Sequence, residues 1–131
     1  MLKRVNHIGI AVQDLDQAIE FWNRMFGVQT PPPVTERDMR ICMIQLGDLL
    51  VELISPIGTE GVMAKHIQRR GEGIHHVCYE VDDIYKAVEE MSTKGMKFVS
   101  KEPREGAEGK IVFLHPSSTH GVLTELVQVR G

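Results

Sequence analysis

The chain repeats itself once. Moving by 69 positions (76 − 7) lays His7 on His76, Val12 on Val81 and Asp14 on Asp83. The same shift lays Leu15 on Ile84, Ala18 on Ala87, Ile19 on Val88 and Trp22 on Met91. Near the end of each half, Leu50-Val-Glu-Leu53 matches Leu123-Thr-Glu-Leu126 with a shift of 73 (125 − 52), and unequal loops absorb the difference. Stacked solenoids need three or more repeats, so two copies point instead to a pseudo-symmetric pair. Each half reads β-α-β-β-β. The expected fold is therefore α+β: two βαβββ modules forming an open, curved eight-stranded sheet, a cup with its helices outside. At 131 residues this makes a single domain. Module 1 covers about 1–55, a linker helix about 56–71, and module 2 about 72–131.

The local signals agree with the repeat. Arg4 to Val12 alternates as a half-buried strand, with Val5, His7, Gly9 and Ala11 on one face. Asp14 reads as the N-cap of a helix whose apolar positions are Leu15, Ala18, Ile19, Trp22, Met25 and Phe26, stopped by Gly27. Trp22 and Phe26 are expected in the core. Pro31 to Pro33 exclude a ladder or helix interior. Gly47-Asp48 suits a type II′ hairpin between Met39–Leu46 and Leu49–Ile54. Val62 to Arg70 reads as a short helix. In the second half, Ile74 to Val81 is a strand carrying His76, Cys78 and Glu80 on one face. Asp82 or Asp83 caps the next helix, Met96 to Val99 is a short strand, Glu102 to Gly109 a loop, and Lys110–His115 with Val122–Val129 the last strand pair.

Composition excludes several functions. The formal net charge of −3 leaves no electrostatic footprint for nucleic acid. No apolar run approaches the roughly 18 residues of a spanning helix, so no membrane partner is expected. The strand pattern begins almost at Met1, which leaves no room for a targeting peptide. Cys42 and Cys78 lie far apart within strand-like runs, as reduced, buried thiols do; the expected location is cytoplasmic.

A lone strand histidine or glutamate is usually a satisfied core group. Both residue types at equivalent places in both halves make a set, because a pseudo-twofold axis brings His7, Glu52, His76 and Glu125 together. Two neutral imidazoles and two carboxylates suit one divalent first-row ion: Mn, Co, Ni, Zn or Fe(II). Four protein ligands in an octahedral shell leave two positions for a bidentate substrate.

The segments His7-Ile-Gly-Ile-Ala-Val12, Arg70-Gly-Glu-Gly-Ile-His-His76, Phe113-Leu-His-Pro116 and Thr119-His-Gly-Val-Leu123 resemble the methylmalonyl-CoA epimerases of the vicinal oxygen chelate superfamily. The first segment is shared widely across that superfamily; the others are more specific to the epimerases. The resemblance implies metal ligands at His7, His76 and Glu125, with Glu52 at a position held by Gln or Glu. It implies interconversion of the (2R) and (2S) forms of methylmalonyl-CoA by 1,1-proton transfer through a metal-stabilised enolate, as a step of propionate metabolism. Glu125 is the implied acid/base as well as a ligand. The second base is unassigned: its place falls near Ile41, an apolar residue. Ser117 also departs from the pattern, where many relatives carry lysine.

The CoA moiety is the expected partner, with Lys110, His115 and Arg70 as candidate substrate contacts, and a homodimer is the expected assembly. Two alternatives stand beside this reading. One is a glyoxalase-type lyase or isomerase on the same scaffold, which intact ligands do not distinguish. The other is a metal-free small-ligand-binding protein, disfavoured by four intact ligand positions and a single Trp. A dioxygenase uses two histidines and one carboxylate, so Glu52 argues against it.

Overall fold

Asp14 and Asp83, the two caps expected from the repeat, both sit in extended backbone at the start of a helix. In the computed structural model, which describes residues Met1–Gly131, the Asp14 carboxylate accepts from the N–H of Gln17 and that of Asp83 from Tyr85 and Lys86. Each satisfies donors that the first helical turn leaves free. The helices are α1 (Leu15–Phe26), α2 (Val62–Arg70) and α3 (Ile84–Thr93). The strands are β1 (Leu2–Ala11), β2 (Val34–Glu36), β3 (Met39–Leu46), β4 (Leu49–Pro56), β5 (Gly73–Val81), β6 (Phe98–Glu105), β7 (Gly109–Leu114) and β8 (Thr124–Val129). They belong to one eight-stranded sheet, ordered β2-β3-β4-β1-β5-β8-β7-β6, so the architecture is the repeated βαβββ arrangement that the sequence implies. The chain divides into two compact units, Ile8–His75 and Met1–His7 with His76–Gly131.

In the unit Ile8–His75, β2, β3 and β4 form an antiparallel meander. The β3–β4 turn holds only Gly47-Asp48, with Gly47 at φ +61, the positive φ that the first position of a II′ turn requires. Alternation then sorts the side chains. Leu15 of α1 packs with Cys42, Ile44, Val51 and Leu53, and Ala18, Ile19 and Trp22 close over them. Ile41 and Ile54, on the opposite face, pack with Ala11 and with Met63 and Ile67 of α2. Met25 and Phe26 do not join this core. They are 59% and 57% exposed, outside the cluster that Leu15, Ala18, Ile19 and Trp22 join. Phe26 stands edge-on to Trp22 at a centroid distance of 4.9 Å.

In the other unit, β8 pairs in parallel with β5 and antiparallel with β7, and β7 pairs with β6. Val81, Ile84, Ala87, Met91, Val112, Leu114 and Leu126 form the core beneath α3. On the other face Cys78, Ile111 and Val127 cluster with Phe113. Strand β6 extends well beyond the expected Met96–Val99 and takes in Glu102–Glu105, which the sequence reads as loop. Its ladder slips between Phe98 and Ser100 and again between Ser100 and Arg104. As the last strand of the sheet it tolerates Pro103, which a central strand would not.

Candidate metal centre

The burial alternation of β1 puts His7, Gly9 and Ala11 inward, and the same period in β5 buries His76 and Cys78. Strand β8 is buried from Thr124 through Val127, so Glu125 is enclosed by its neighbours. These strands place three polar side chains in one unit. His7 is 5% exposed, His76 4% and Glu125 6%. Nε2 of His7 lies 3.0 Å from Nε2 of His76. Oε1 of Glu125 lies 3.1 Å from His7 Nε2 and 3.0 Å from His76 Nε2. The two rings meet edge-on at 5.1 Å, and the Phe113 ring stands against His76 at 5.8 Å.

Asn6 sets the chemistry of His7. Its Oδ1 is 2.7 Å from Nδ1 of His7, and an amide oxygen only accepts, so Nδ1 carries the proton. Neutral His7 therefore presents a bare Nε2 lone pair to the other two groups. Fixing the tautomer through the remote nitrogen is the usual arrangement around metal-bound imidazoles. Burial alone pushes the Glu125 carboxyl up, but where the imidazoles carry a proton towards it, hydrogen bonding and attraction to His7 and His76 outweigh burial and bring it down to about 2. Glu125 is thus an anion throughout the neutral range.

Three electron-rich atoms this close repel one another unless positive charge lies among them. A proton relieves one contact; a divalent ion relieves all three. The separations also fit the ion's size. Cis ligands on an octahedral ion with bonds of about 2.1 Å stand about 3.0 Å apart, and the observed edges are 3.0, 3.0 and 3.1 Å. Two imidazole nitrogens and a carboxylate oxygen suit a first-row divalent ion.

Of the other expected site residues, Glu52 lies on β4 in the Ile8–His75 unit, 7% exposed and opposite Met43 in the ladder. Ile41, at the place of the unassigned base, is buried in the α2-side core. Arg70 ends α2 at the surface. His115 follows β7, exposed, with its Nδ1 accepting from the N–H of Ser117 at 3.0 Å. Lys110 is engaged on the α3 side: Nζ is 3.1 Å from Glu105 and 5.9 Å from the centre of the Tyr85 ring. The sequence alone does not point to Asn6 or to the placement of Cys78 beside the triangle, and it marks Phe113 only as part of a family-like segment. Asn6 was hidden because strand alternation assigns it to the face opposite His7; Cys78 was visible on the His76 face but read only as a core thiol.

The chain's relatives carry the same architecture. Residues 6–113 match the Glyoxalase/Bleomycin resistance protein/Dioxygenase superfamily. The mitochondrial methylmalonyl-CoA epimerase of Bos taurus is 38% identical over 97% of this chain and 75% of its own length. An ethylmalonyl-CoA/methylmalonyl-CoA epimerase of Cereibacter sphaeroides is 37% identical over 98% of this chain and 100% of its own. The chain belongs to the methylmalonyl-CoA epimerase family. Among solved structures, a methylmalonyl-CoA epimerase in complex with methylmalonyl-CoA and NH4+ superposes with a TM-score of 0.93, at 32% identity, covering 100% of this chain and 97% of that one. Within this epimerase fold the His7–His76–Glu125 triangle joins buried polar groups on three separate strands.

Proposed function

We propose that this protein is a metal-dependent epimerase that interconverts the (2R) and (2S) forms of methylmalonyl-CoA. The observation that carries the reading is the triangle of His7, His76 and Glu125 donors in a chain 37–38% identical to named epimerases. The ion is one divalent first-row metal, held by those three side chains and, by the repeat that matches it to Glu125, by Glu52. When bound it supplies Lewis-acid stabilisation to an enolate oxygen.

The chain's own groups do the rest. His7 and Asn6 hold a fixed tautomer, so no reorientation of the ring accompanies turnover. Glu125 is ionised at neutral pH and takes or returns the α-proton without a prior ionisation step. Its low basicity means that it deprotonates only a carbon acid whose conjugate base is itself strongly stabilised. That requirement favours a carbon between a thioester and a carboxylate. Arg70, Lys110 and His115 are assigned to the CoA moiety; Lys110 must first part from Glu105. No helix is long and apolar enough to cross a membrane. A homodimer in the cytoplasm, working in propionate metabolism, completes the proposal.

Solvent-deuterium exchange into methylmalonyl-CoA, followed by NMR, tests it on metal-loaded protein, chelator-treated protein and Glu125→Gln. Exchange at the α-carbon that needs the ion and is lost in Glu125→Gln is the expected result. A metal-loaded protein that exchanges nothing overturns the assignment.

A further inference from the structure

Cys78 belongs to the same neighbourhood as the ligands, and neither the repeat nor the proposed reaction needs it. Its counterpart in the first half is position 9 (78 − 69), a glycine. Cys78 faces Glu125 directly across the parallel β5–β8 pair. It lies two residues beyond His76, hence on the same face of the strand. It is 0% exposed and is a thiol rather than half of a disulfide. The ligand-capable atoms of His7, Cys78 and Glu125 all lie within 4.8 Å of one another. Its Sγ lies 3.9 Å from the carbonyl oxygen of Tyr79, long for a hydrogen bond even from a thiol.

We propose that Cys78 gives the centre a second, thiophilic mode in which its Sγ, a ring nitrogen of His7 and a carboxylate oxygen of Glu125 capture a soft divalent ion such as Cd2+ or Zn2+. The thiol proton leaves to solvent as the sulfur–metal bond forms, with no change of oxidation state. Hard ions prefer the all-nitrogen-and-oxygen set, whereas thiolate selects the softer ones. Sulfur bonds are also longer, about 2.3 Å against about 2.1 Å for imidazole nitrogen, and the His7–Cys78–Glu125 atoms, all within 4.8 Å of one another, leave room for them. The half-site asymmetry of Gly9 against Cys78 thus makes the centre discriminate among ions. This inference rests on the ion-binding part of the reading above, not on the substrate.

The test is titration of chelator-stripped protein with Cd2+ and, separately, Mn2+, following ultraviolet absorption and binding heat together. Wild type and Cys42→Ala should each develop a thiolate-to-cadmium charge-transfer band that saturates at one equivalent. Cys78→Ser and Cys78→Ala should lose the band and bind Cd2+ at least about tenfold more weakly, while Mn2+ affinity changes less than about twofold. Circular dichroism shows that each variant is folded, and either Cys78 variant suffices. Cadmium bound by wild type without the band overturns the thiol mode and leaves the metal centre standing. A band that survives in folded Cys78 variants, or equal losses for both ions, overturns it too. No binding of either ion by wild type overturns this inference and the metal centre together, whereas a failed exchange assay with normal ion binding touches only the epimerase assignment.

Discussion

Asn6→Ala should weaken ion binding about tenfold while leaving every ligand in place. In the structure the amide oxygen of Asn6 lies 2.7 Å from Nδ1 of His7 and keeps the proton on that nitrogen. Without it, the ring is free to place its proton on Nε2, the atom that faces His76 and Glu125 at 3.0 and 3.1 Å. A hydrogen bond of this kind is worth about 1 kcal/mol net, which is about fivefold in affinity. Loss of such outer partners costs about 10–100-fold in metal centres generally, so the low end of that range is expected for a half-buried neutral amide. Calorimetric titration of stripped wild-type and Asn6→Ala protein with Co2+ measures it. Asn6→Asp, which keeps an acceptor and adds charge, should bind as well as wild type or better. If folded Asn6→Ala binds within about twofold of wild type, the tautomer argument for His7 is wrong.

Other perturbations follow from the same geometry. Gly109→Ala should destabilise the fold by about 1–3 kcal/mol, because a Cβ at that position runs into the backbone carbonyl of Gln128 in β8; urea unfolding reads the change. The Glu125 carboxyl stands at about 2 against an ordinary 4.5, a depressed value. Its contribution to stability is therefore fully present above pH 4.5 and disappears as the pH falls through 2, about 3 kcal/mol in all. Denaturation of ion-free protein across that window should show the slope, and Glu125→Gln should flatten it. Adding Mn2+ at about 100 times its dissociation constant should stabilise the protein by about 2.7 kcal/mol, or about 8 °C in a thermal melt, and a chelator should reverse it.

Much of this was legible in the sequence because the repeat supplied two independent copies of each signal. The aspartate caps, the Gly47-Asp48 turn and the inward period of His7, Gly9 and Ala11 are local rules that tertiary context did not override. Two of the failures share a cause: they depend on how an element lies against its neighbours. Nothing in the period of Leu15 to Phe26 tells which turns of the helix the sheet covers, so Met25 and Phe26 read as core although both are exposed. Glu102 to Glu105 carries a proline and charges, which read as loop because the sequence does not say that this strand is an edge. Asn6 escaped for another reason. Its contact with His7 is made between adjacent residues, so a rule that separates them by face cannot find it.

The parallel pairing of β5 with β8 has a kinetic consequence. Two parallel neighbours cannot be joined by a hairpin, and here His76 and Glu125 are 49 positions apart (125 − 76), with His7 a further 69 upstream. Closing such loops costs entropy before any contact repays it. The candidate donors should therefore converge late on the route to the native state, once α3, β6 and β7 have begun to pack. An ion held there acts beyond the folding barrier: it should lengthen the lifetime of the folded protein and leave the speed of folding nearly untouched.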